Sequence, residues 1–147
     1  MREFARQKGI PLVGALLDSP IQESEYRRAF AALAQERVDA LIVSDMPENA
    51  AYRRTIIDLA EENRLPTVYP LAEFARGGGL IAWGVDFVKL FRHAADIVGQ
   101  ILKGAKPGDI PFYQPTTVEL VINLKTAQAL GIEIPPSLLA RADEVIE

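Results

Sequence analysis

The sequence has no cysteine and a single histidine, His93, and these shortages exclude several kinds of site. Without cysteine there is no disulfide, thiolate metal site or thiol nucleophile, and one histidine cannot form a histidine cluster. No run of about 18 apolar residues occurs, so we expect no transmembrane span. The 16 basic and 20 acidic side chains give a net charge of −4, which argues against a nucleic-acid partner. We therefore expect no catalytic residues, no metal and no cofactor.

The 147 residues are 49% hydrophobic, and short apolar runs alternate with longer amphipathic segments. This alternation is typical of βαβ units and predicts an α/β fold with three αβα layers around a mostly parallel sheet. Residues 40–43 are apolar without interruption, which predicts a central strand covered on both faces. The predicted strands span residues 12–17, 40–43, 67–69, 80–83 and 118–122.

Amphipathic periodicity and terminal signals locate the helices. The clearest one covers residues 86–103, where apolar side chains recur every three or four positions and Gly104 follows as a left-handed cap. Residues 105–116 contain three prolines and should form an extended connection. The other predicted helices span residues 24–37, 48–64 and 123–130, with a last helix opened by Pro135, Pro136 and Ser137.

The first 17 residues faintly resemble a signal peptide, since basic residues precede the apolar run of residues 10–17. Pro11 and Gly14 interrupt that run, Asp18 ends it, and no small-residue cleavage site follows. A buried strand over residues 12–17 is therefore the favoured interpretation.

Ligands of open α/β sheets bind beyond the carboxyl ends of the strands, which directs attention to the residues after the strand at 40–43. Ser44, Asp45 and Asn49 follow it and come just before a predicted helix, where backbone N–H groups favour an anionic group. The alternative is that Asp45, Glu48 or Asn49 only caps the helix. Both roles stay open at this point.

Two further segments suggest binding. Gly77, Gly78 and Gly79 lack the lysine and serine or threonine of a phosphate-binding loop, so a hinge or tight turn is favoured. Trp83 and Gly84 end the next predicted strand, where the indole could stack on an apolar or aromatic ligand or be an ordinary core side chain.

His93 lies off the apolar stripe of its helix and is expected to be a solvated surface residue.

From Ser44 onward the sequence resembles the C-terminal half of an ABC-transporter solute-binding protein, in the family whose better-known members bind aromatic amino acids. The likeness extends more loosely back to Phe4. Its most specific segments are GGLIAWG at 78–84, ILKGAKPGDIP at 101–111, QPTTVELVINLKTAQALG at 114–131 and IPPSLLARADEVIE at 134–147.

This resemblance implies a truncated type I periplasmic-binding-protein fold, in which two lobes close over a small organic solute such as an amino acid and present it to an ABC permease without catalysis. Residues 1–147 would be one α/β region, with crossings between lobes near 70–84 and 105–118. The family usually has tyrosine at the position of Trp83. The expected ligand-binding residues are Ser44, Asp45, Asn49, Tyr69, Trp83 and Gly84, with Gly77, Gly78 and Gly79 as the hinge.

Family members have a signal sequence and an N-terminal lobe before the point that matches Phe4, so we expect a truncated protein with an exposed seam. Exposed edges and apolar faces favour association, which predicts a homo-oligomer. The resemblance implies a periplasmic location, whereas a natural start at Met1 would imply the cytoplasm.

The alternative function is a non-catalytic oligomerising structural module without a ligand. A Rossmann-like enzyme is disfavoured because no G-x-G-x-x-G motif is present.

Overall fold

The computed structural model describes residues 2–147, which divide into two compact units, one ending at Thr67 and the other running from Val68 to Glu147. The first unit is mainly helical. Its elements are α1 (Arg2–Gln7), α2 (Glu23–Gln35), β1 (Leu41–Ile42), α3 (Pro47–Ala51) and α4 (Arg53–Glu62).

The core of the first unit forms where α2 packs against α4. Tyr26, Phe30 and Leu33 of α2 are buried, and so are Ile56 and Leu59 of α4. These positions follow the three- and four-residue spacing of an apolar helix face, so the two helices bury the stripes that their sequences predict.

The second unit holds most of the strands. Its elements are β2 (Thr67–Tyr69, which starts at the unit boundary), α5 (Ala72–Arg76), β3 (Ile81–Val85), α6 (Phe87–Leu102), a 3₁₀ turn (Pro107–Asp109), β4 (Val118–Asn123), α7 (Leu124–Leu130), α8 (Pro136–Leu139) and β5 (Glu144–Ile146). A cluster of Leu80, Ile122, Ala127 and Ile134 forms part of its core.

The strands β2 to β5 form a mixed sheet in the order β2-β3-β4-β5. β2 and β3 are parallel, β3 and β4 are antiparallel, and β4 and β5 are parallel. The predicted α/β fold with a mostly parallel sheet is therefore confirmed. The prediction that residues 40–43 form a central strand covered on both faces is wrong, because only Leu41–Ile42 are in a strand and Ile42 is 55% exposed.

The predicted buried strand at residues 12–17 is also wrong. The segment has no regular secondary structure, and Leu12, Val13 and Leu16 are exposed. A strand needs a neighbour to satisfy its backbone N–H and C=O groups, and nothing in residues 2–147 pairs with this segment in a sheet. Its end is held by side chains instead, since the Leu16 carbonyl accepts a hydrogen bond from Arg28.

Several short elements differ from the prediction. The helix predicted over residues 48–64 is divided into α3 and α4, because the backbone of Tyr52 leaves the helical region at φ −97° and ψ 23°. The last helix is only four residues long and is followed by β5, which the sequence pattern did not indicate. The helices α1 and α5 were likewise not predicted.

The helix α6 closely matches the prediction at both ends, but none of its residues is buried. The carboxylate of Asp86 caps its first turn by accepting a hydrogen bond from the Lys89 N–H at 3.0 Å, and Gly104 follows its end with φ +103°. Phe91 is 68% exposed and Leu102 is 83% exposed. The apolar stripe therefore forms as predicted without being covered.

Asn123 connects the elements of the second unit. Its buried side chain donates to the Ala75 carbonyl at 3.0 Å and accepts from the Thr126 N–H at 3.1 Å, while its own N–H donates to the Leu80 carbonyl at 2.9 Å. One residue thus joins the end of α5, the start of β3 and the first turn of α7.

Two helices end on arginines in the left-handed conformation that favours glycine. Arg37 follows α2 with φ 52°, and Arg64 follows α4 with φ 49°. Both ends form Schellman motifs, in which the next residue donates back to the last turn, as Val38 does to the Leu33 carbonyl. A side chain in this conformation costs about 1 kcal/mol, a strain that glycine does not have.

We therefore predict that Arg37→Gly raises the free energy of unfolding by about 0.5–1 kcal/mol, because the strain at φ 52° is relieved. Chemical denaturation checks the difference. Arg37→Ala removes the same charge and keeps the β-carbon, so it should give no gain. An equal gain in both variants would assign the effect to the charge.

None of the helices in the described part of the chain combines the length and apolar character that crossing a bilayer requires.

Candidate ligand-binding site

Asn49 lies in the short helix α3 and is the buried polar residue that holds the loop after β1. Its side-chain oxygen accepts a hydrogen bond from the Tyr26 hydroxyl at 3.0 Å, and its side-chain nitrogen donates to the Ser44 carbonyl at 2.8 Å and to Ser44 Oγ at 3.3 Å. Asn49 is only 5% exposed, so its amide is used within the protein. It fixes the conformation of the loop from Ser44 to α3.

Tyr26 was missed as a site residue because its position on the apolar face of α2 indicated an ordinary core side chain. Its ring lies 5.1 Å from that of Tyr52, centroid to centroid. Burial raises the pKa of Tyr26 above its usual range, and the negative charge of Glu48 raises it further. The hydroxyl therefore stays protonated and remains the donor to Asn49 at neutral pH.

Ser44 and Asp45 are exposed on this loop. In the described chain no ion pair or side-chain hydrogen bond holds the Asp45 carboxylate. The helix α3 begins after Met46 and has no side-chain cap, so neither Asp45 nor Asn49 has the capping role that was the alternative. Asp45 is thus left with a solvent-facing charge that the fold does not use.

An apolar groove of about 260 Å³ adjoins the loop within the first unit. Ser44 and Asn49 supply its polar end, and the rest of its lining comes from residues 15–17, α2, β1, Val43, Met46 and Ile56 of α4. Such a groove can take apolar groups while the polar end fixes their orientation.

We predict that Asn49→Ala lowers the free energy of unfolding by about 2–3 kcal/mol, because the Tyr26 hydroxyl loses its acceptor while remaining buried. Thermal and urea denaturation measure the loss. The matched control is Asn63→Ala, which removes one exposed amide bonded to the Leu59 carbonyl and should cost about 1 kcal/mol or less. Equal losses would mean that the buried network adds nothing.

The candidate residues of the second unit lie around β2 and β3. Tyr69 ends β2, is only 2% exposed and stacks on Phe74 with ring centroids 4.8 Å apart. Its ring therefore supports the core here, and a direct ligand contact by Tyr69 stays a prediction. Trp83 lies opposite Leu120 on β4 and is 59% exposed, which excludes the core alternative for its indole.

The three glycines form the tight turn that connects α5 to β3. Gly78 has φ +113°, and the N–H groups of Gly78 and Gly79 donate to the carbonyls of Ala75 and Phe74 in a Schellman motif. A β-carbon at Gly79 would overlap the ring of Tyr69. Their role as a hinge between lobes stays a prediction.

Gly84 brings two segments of backbone into contact. A β-carbon at this position would overlap the carbonyl oxygen of Pro70, the residue just after β2. Only glycine permits this approach, so the end of β3 next to Trp83 is held by main-chain packing.

Gly84→Ala is predicted to lower the free energy of unfolding by about 2 kcal/mol, since the Pro70 carbonyl must move to admit the methyl group. Urea denaturation tests this. The control, Gly99→Ala, adds the same methyl group inside α6, where nothing lies within 4 Å, and should stabilise by about 0.5–1 kcal/mol. A neutral result at Gly84 would contradict the close approach.

His93 is not the freely solvated residue that was predicted. It is half-buried, and its ring centroid lies 3.7 Å from that of Tyr113. No group of three or more potential ligands that could hold a metal occurs among residues 2–147.

Comparison with known proteins identifies a family. The family model described as ABC transporter substrate binding protein matches residues 1–146. A "Tyrosine-binding protein" of Clostridioides difficile strain R20291 is 32% identical over 95 residues, which cover 65% of this chain and 26% of the relative.

Two solved structures share the fold over 98% of this chain. A conserved domain protein from Vibrio cholerae O1 biovar eltor strain N16961 has a TM-score of 0.85 at 27% identity, over 47% of its own length. An ABC domain from Streptococcus pneumonia in complex with L-Trp has a TM-score of 0.84 at 29% identity, over 49% of its length. The chain thus spans about half of each solved relative and about a quarter of the curated one.

Proposed function

The chain belongs to the ABC transporter substrate-binding protein family, and from this premise we propose that it binds an amino acid with an aromatic side chain for an ABC import system. Members of the family bind their ligands without catalysing a reaction, so the chain is a binding protein and not an enzyme. Two relatives support the ligand class, since one is described as tyrosine-binding and the other is in complex with L-Trp.

The observation that carries the proposal is the exposed indole of Trp83. A tryptophan in a strand is usually buried, whereas this one is 59% exposed beside a glycine whose backbone contact holds the strand end in place. A flat ring held in this way offers a stacking surface for a second aromatic ring.

The second support is the free carboxylate of Asp45. Asn49 fixes the loop through Ser44, so Asp45 is presented from a rigid segment while its charge stays unused by the fold. A carboxylate in this situation suits the ammonium group of an amino acid. We propose Ser44 and Asp45 of the first unit, with Asn49 buried behind them, and Trp83 and Gly84 of the second unit, with Tyr69 buried nearby, as the ligand-binding residues.

The same proposal includes the connections between the two lobes and the transport partner. We propose that residues 70–84 and 105–118 are crossings between two lobes, that Gly77, Gly78 and Gly79 act as the hinge, and that the loaded protein meets an ABC permease on the outer side of the membrane.

Trp83 is the only tryptophan of the chain, so its fluorescence reports on its own surroundings. We expect saturable quenching by L-tyrosine and L-phenylalanine and none by glycine, measured with excitation that tyrosine does not absorb. The tyrosine analogue without an amino group should bind more weakly. A flat response to the whole panel would contradict the proposal and favour the alternative of a structural module without a ligand.

The role of Asp45 has its own test. Asp45→Asn should weaken tyrosine binding about tenfold or more, which is the effect of losing a charge-assisted hydrogen bond. The analogue without an amino group should bind this variant and the wild type equally. The control is Asp39→Asn, which removes an exposed carboxylate before β1. Unchanged tyrosine affinity in Asp45→Asn would remove Asp45 from the site.

A further inference from the structure

The hydrogen bonds around Asn49 all run in one direction, and they end at the surface of the protein. The Ser44 carbonyl can only accept a hydrogen bond, so the side-chain nitrogen of Asn49 must face it, at 2.8 Å. The side-chain oxygen of Asn49 is then turned towards Tyr26, and the Tyr26 hydroxyl, 3.0 Å away, has to be the donor. The order of donation is therefore from Tyr26 to Asn49 and from Asn49 to Ser44.

Burial keeps this direction fixed. Tyr26 and Asn49 are both buried, so water offers neither side chain an alternative partner. The raised pKa of Tyr26 keeps its proton in place at neutral pH. A reversed Asn49 amide would place its oxygen against the Ser44 carbonyl oxygen, and two acceptors would meet without a proton between them. Only one orientation of the amide therefore satisfies all three residues.

The last member of this series is the hydroxyl of Ser44. Its oxygen accepts from the Asn49 side-chain nitrogen at 3.3 Å. A serine hydroxyl also has one proton to donate, and no group of residues 2–147 accepts that proton. Because Ser44 is exposed, the hydrogen bonds that begin at Tyr26 leave a hydroxyl donor open to solvent.

Asp45, the next residue, offers the opposite chemistry. Its exposed carboxylate accepts hydrogen bonds and repels other negative charges, whereas the neighbouring hydroxyl donates. An α-amino acid carries a matching pair, an ammonium group and a carboxylate on the same carbon atom. A carboxylic acid without the ammonium group would meet Asp45 as a like charge. The two residues together suit a zwitterion better than a simple acid or a simple amine.

We propose that the Ser44 hydroxyl donates to the α-carboxylate of the bound amino acid while Asp45 accepts from its ammonium group. Tyr26 is then a positioning residue, which keeps the Ser44 hydroxyl free to donate by orienting the amide of Asn49. This inference rests on the proposed function, because it assigns the two charged ends of the amino acid to two residues of that site. All four residues lie in the first unit.

Isothermal titration calorimetry with L-tyrosine and with tyramine, the amine that lacks the carboxylate, tests the role of Ser44. We expect the wild type to bind tyramine at least about tenfold more weakly, the effect of losing a hydrogen bond to a charged group. Ser44→Ala should weaken the binding of L-tyrosine about tenfold or more and leave the binding of tyramine unchanged. Ser24→Ala removes an exposed hydroxyl from α2 and is the control that should change neither affinity.

Tyr26→Phe tests the positioning role, since it removes the hydroxyl and keeps the buried ring. The affinity for L-tyrosine should fall about threefold to tenfold while the affinity for tyramine stays the same. A general loosening of the loop would weaken both ligands alike. The control is Tyr52→Phe, which removes the hydroxyl of the neighbouring ring, a group without a hydrogen-bond partner in the described part of the chain.

The outcomes distinguish this inference from the proposed function. If the wild type bound neither ligand, the proposed function and this inference would both be wrong. Equal affinities of the wild type for L-tyrosine and tyramine, or an equal loss of both in Ser44→Ala, would overturn the role of Ser44 and leave the proposed function standing. An unchanged affinity of Tyr26→Phe for L-tyrosine, or an equal loss of both ligands, would overturn the positioning role alone.

Discussion

Each unit of this protein is organised around one buried asparagine whose amide must be hydrogen-bonded. In the first unit Asn49 joins α2 to the loop after β1, and in the second Asn123 joins α5, β3 and α7. A buried amide without partners costs free energy of the order of 1–3 kcal/mol per lost group, so each asparagine permits few arrangements of its surroundings. The hydrogen bonds of Asn49 to Ser44 also hold the exposed segment of Ser44 and Asp45 in place, although no helix or strand contains it.

How much of this could be predicted from the sequence depends on how local each signal is. The strand Thr67–Tyr69 and both ends of α6 were correct, because turn residues, caps and periodicity lie within the segments themselves. The strand β5 was not predicted, since its three residues depend on pairing with β4. The failures at residues 12–17 and at Ile42 have the same origin: an apolar run indicates burial only where a neighbour exists to cover it.

In the candidate site, too, the features set by local sequence could be predicted and those that depend on distant residues could not. The position of Ser44, Asp45 and Asn49 after a strand was enough to single them out. The hydroxyl that holds Asn49 comes from Tyr26, 23 positions earlier, and no local pattern indicates that contact. The exposure of Trp83 was equally hidden, because a side chain on a strand is buried or exposed according to what packs on that face of the sheet.

The contact of Gly84 with Pro70 fixes the end of β3 through main-chain atoms, independently of the side chain of Trp83. The side chains of β3 alternate between the two faces of the sheet. Ala82 is therefore buried in the core, whereas Trp83 points to the other face and is exposed. Position 83 can therefore exchange one ring for another over evolutionary time at little cost to the fold. The ligand contact proposed at this position could therefore change its ring while the backbone stays in place.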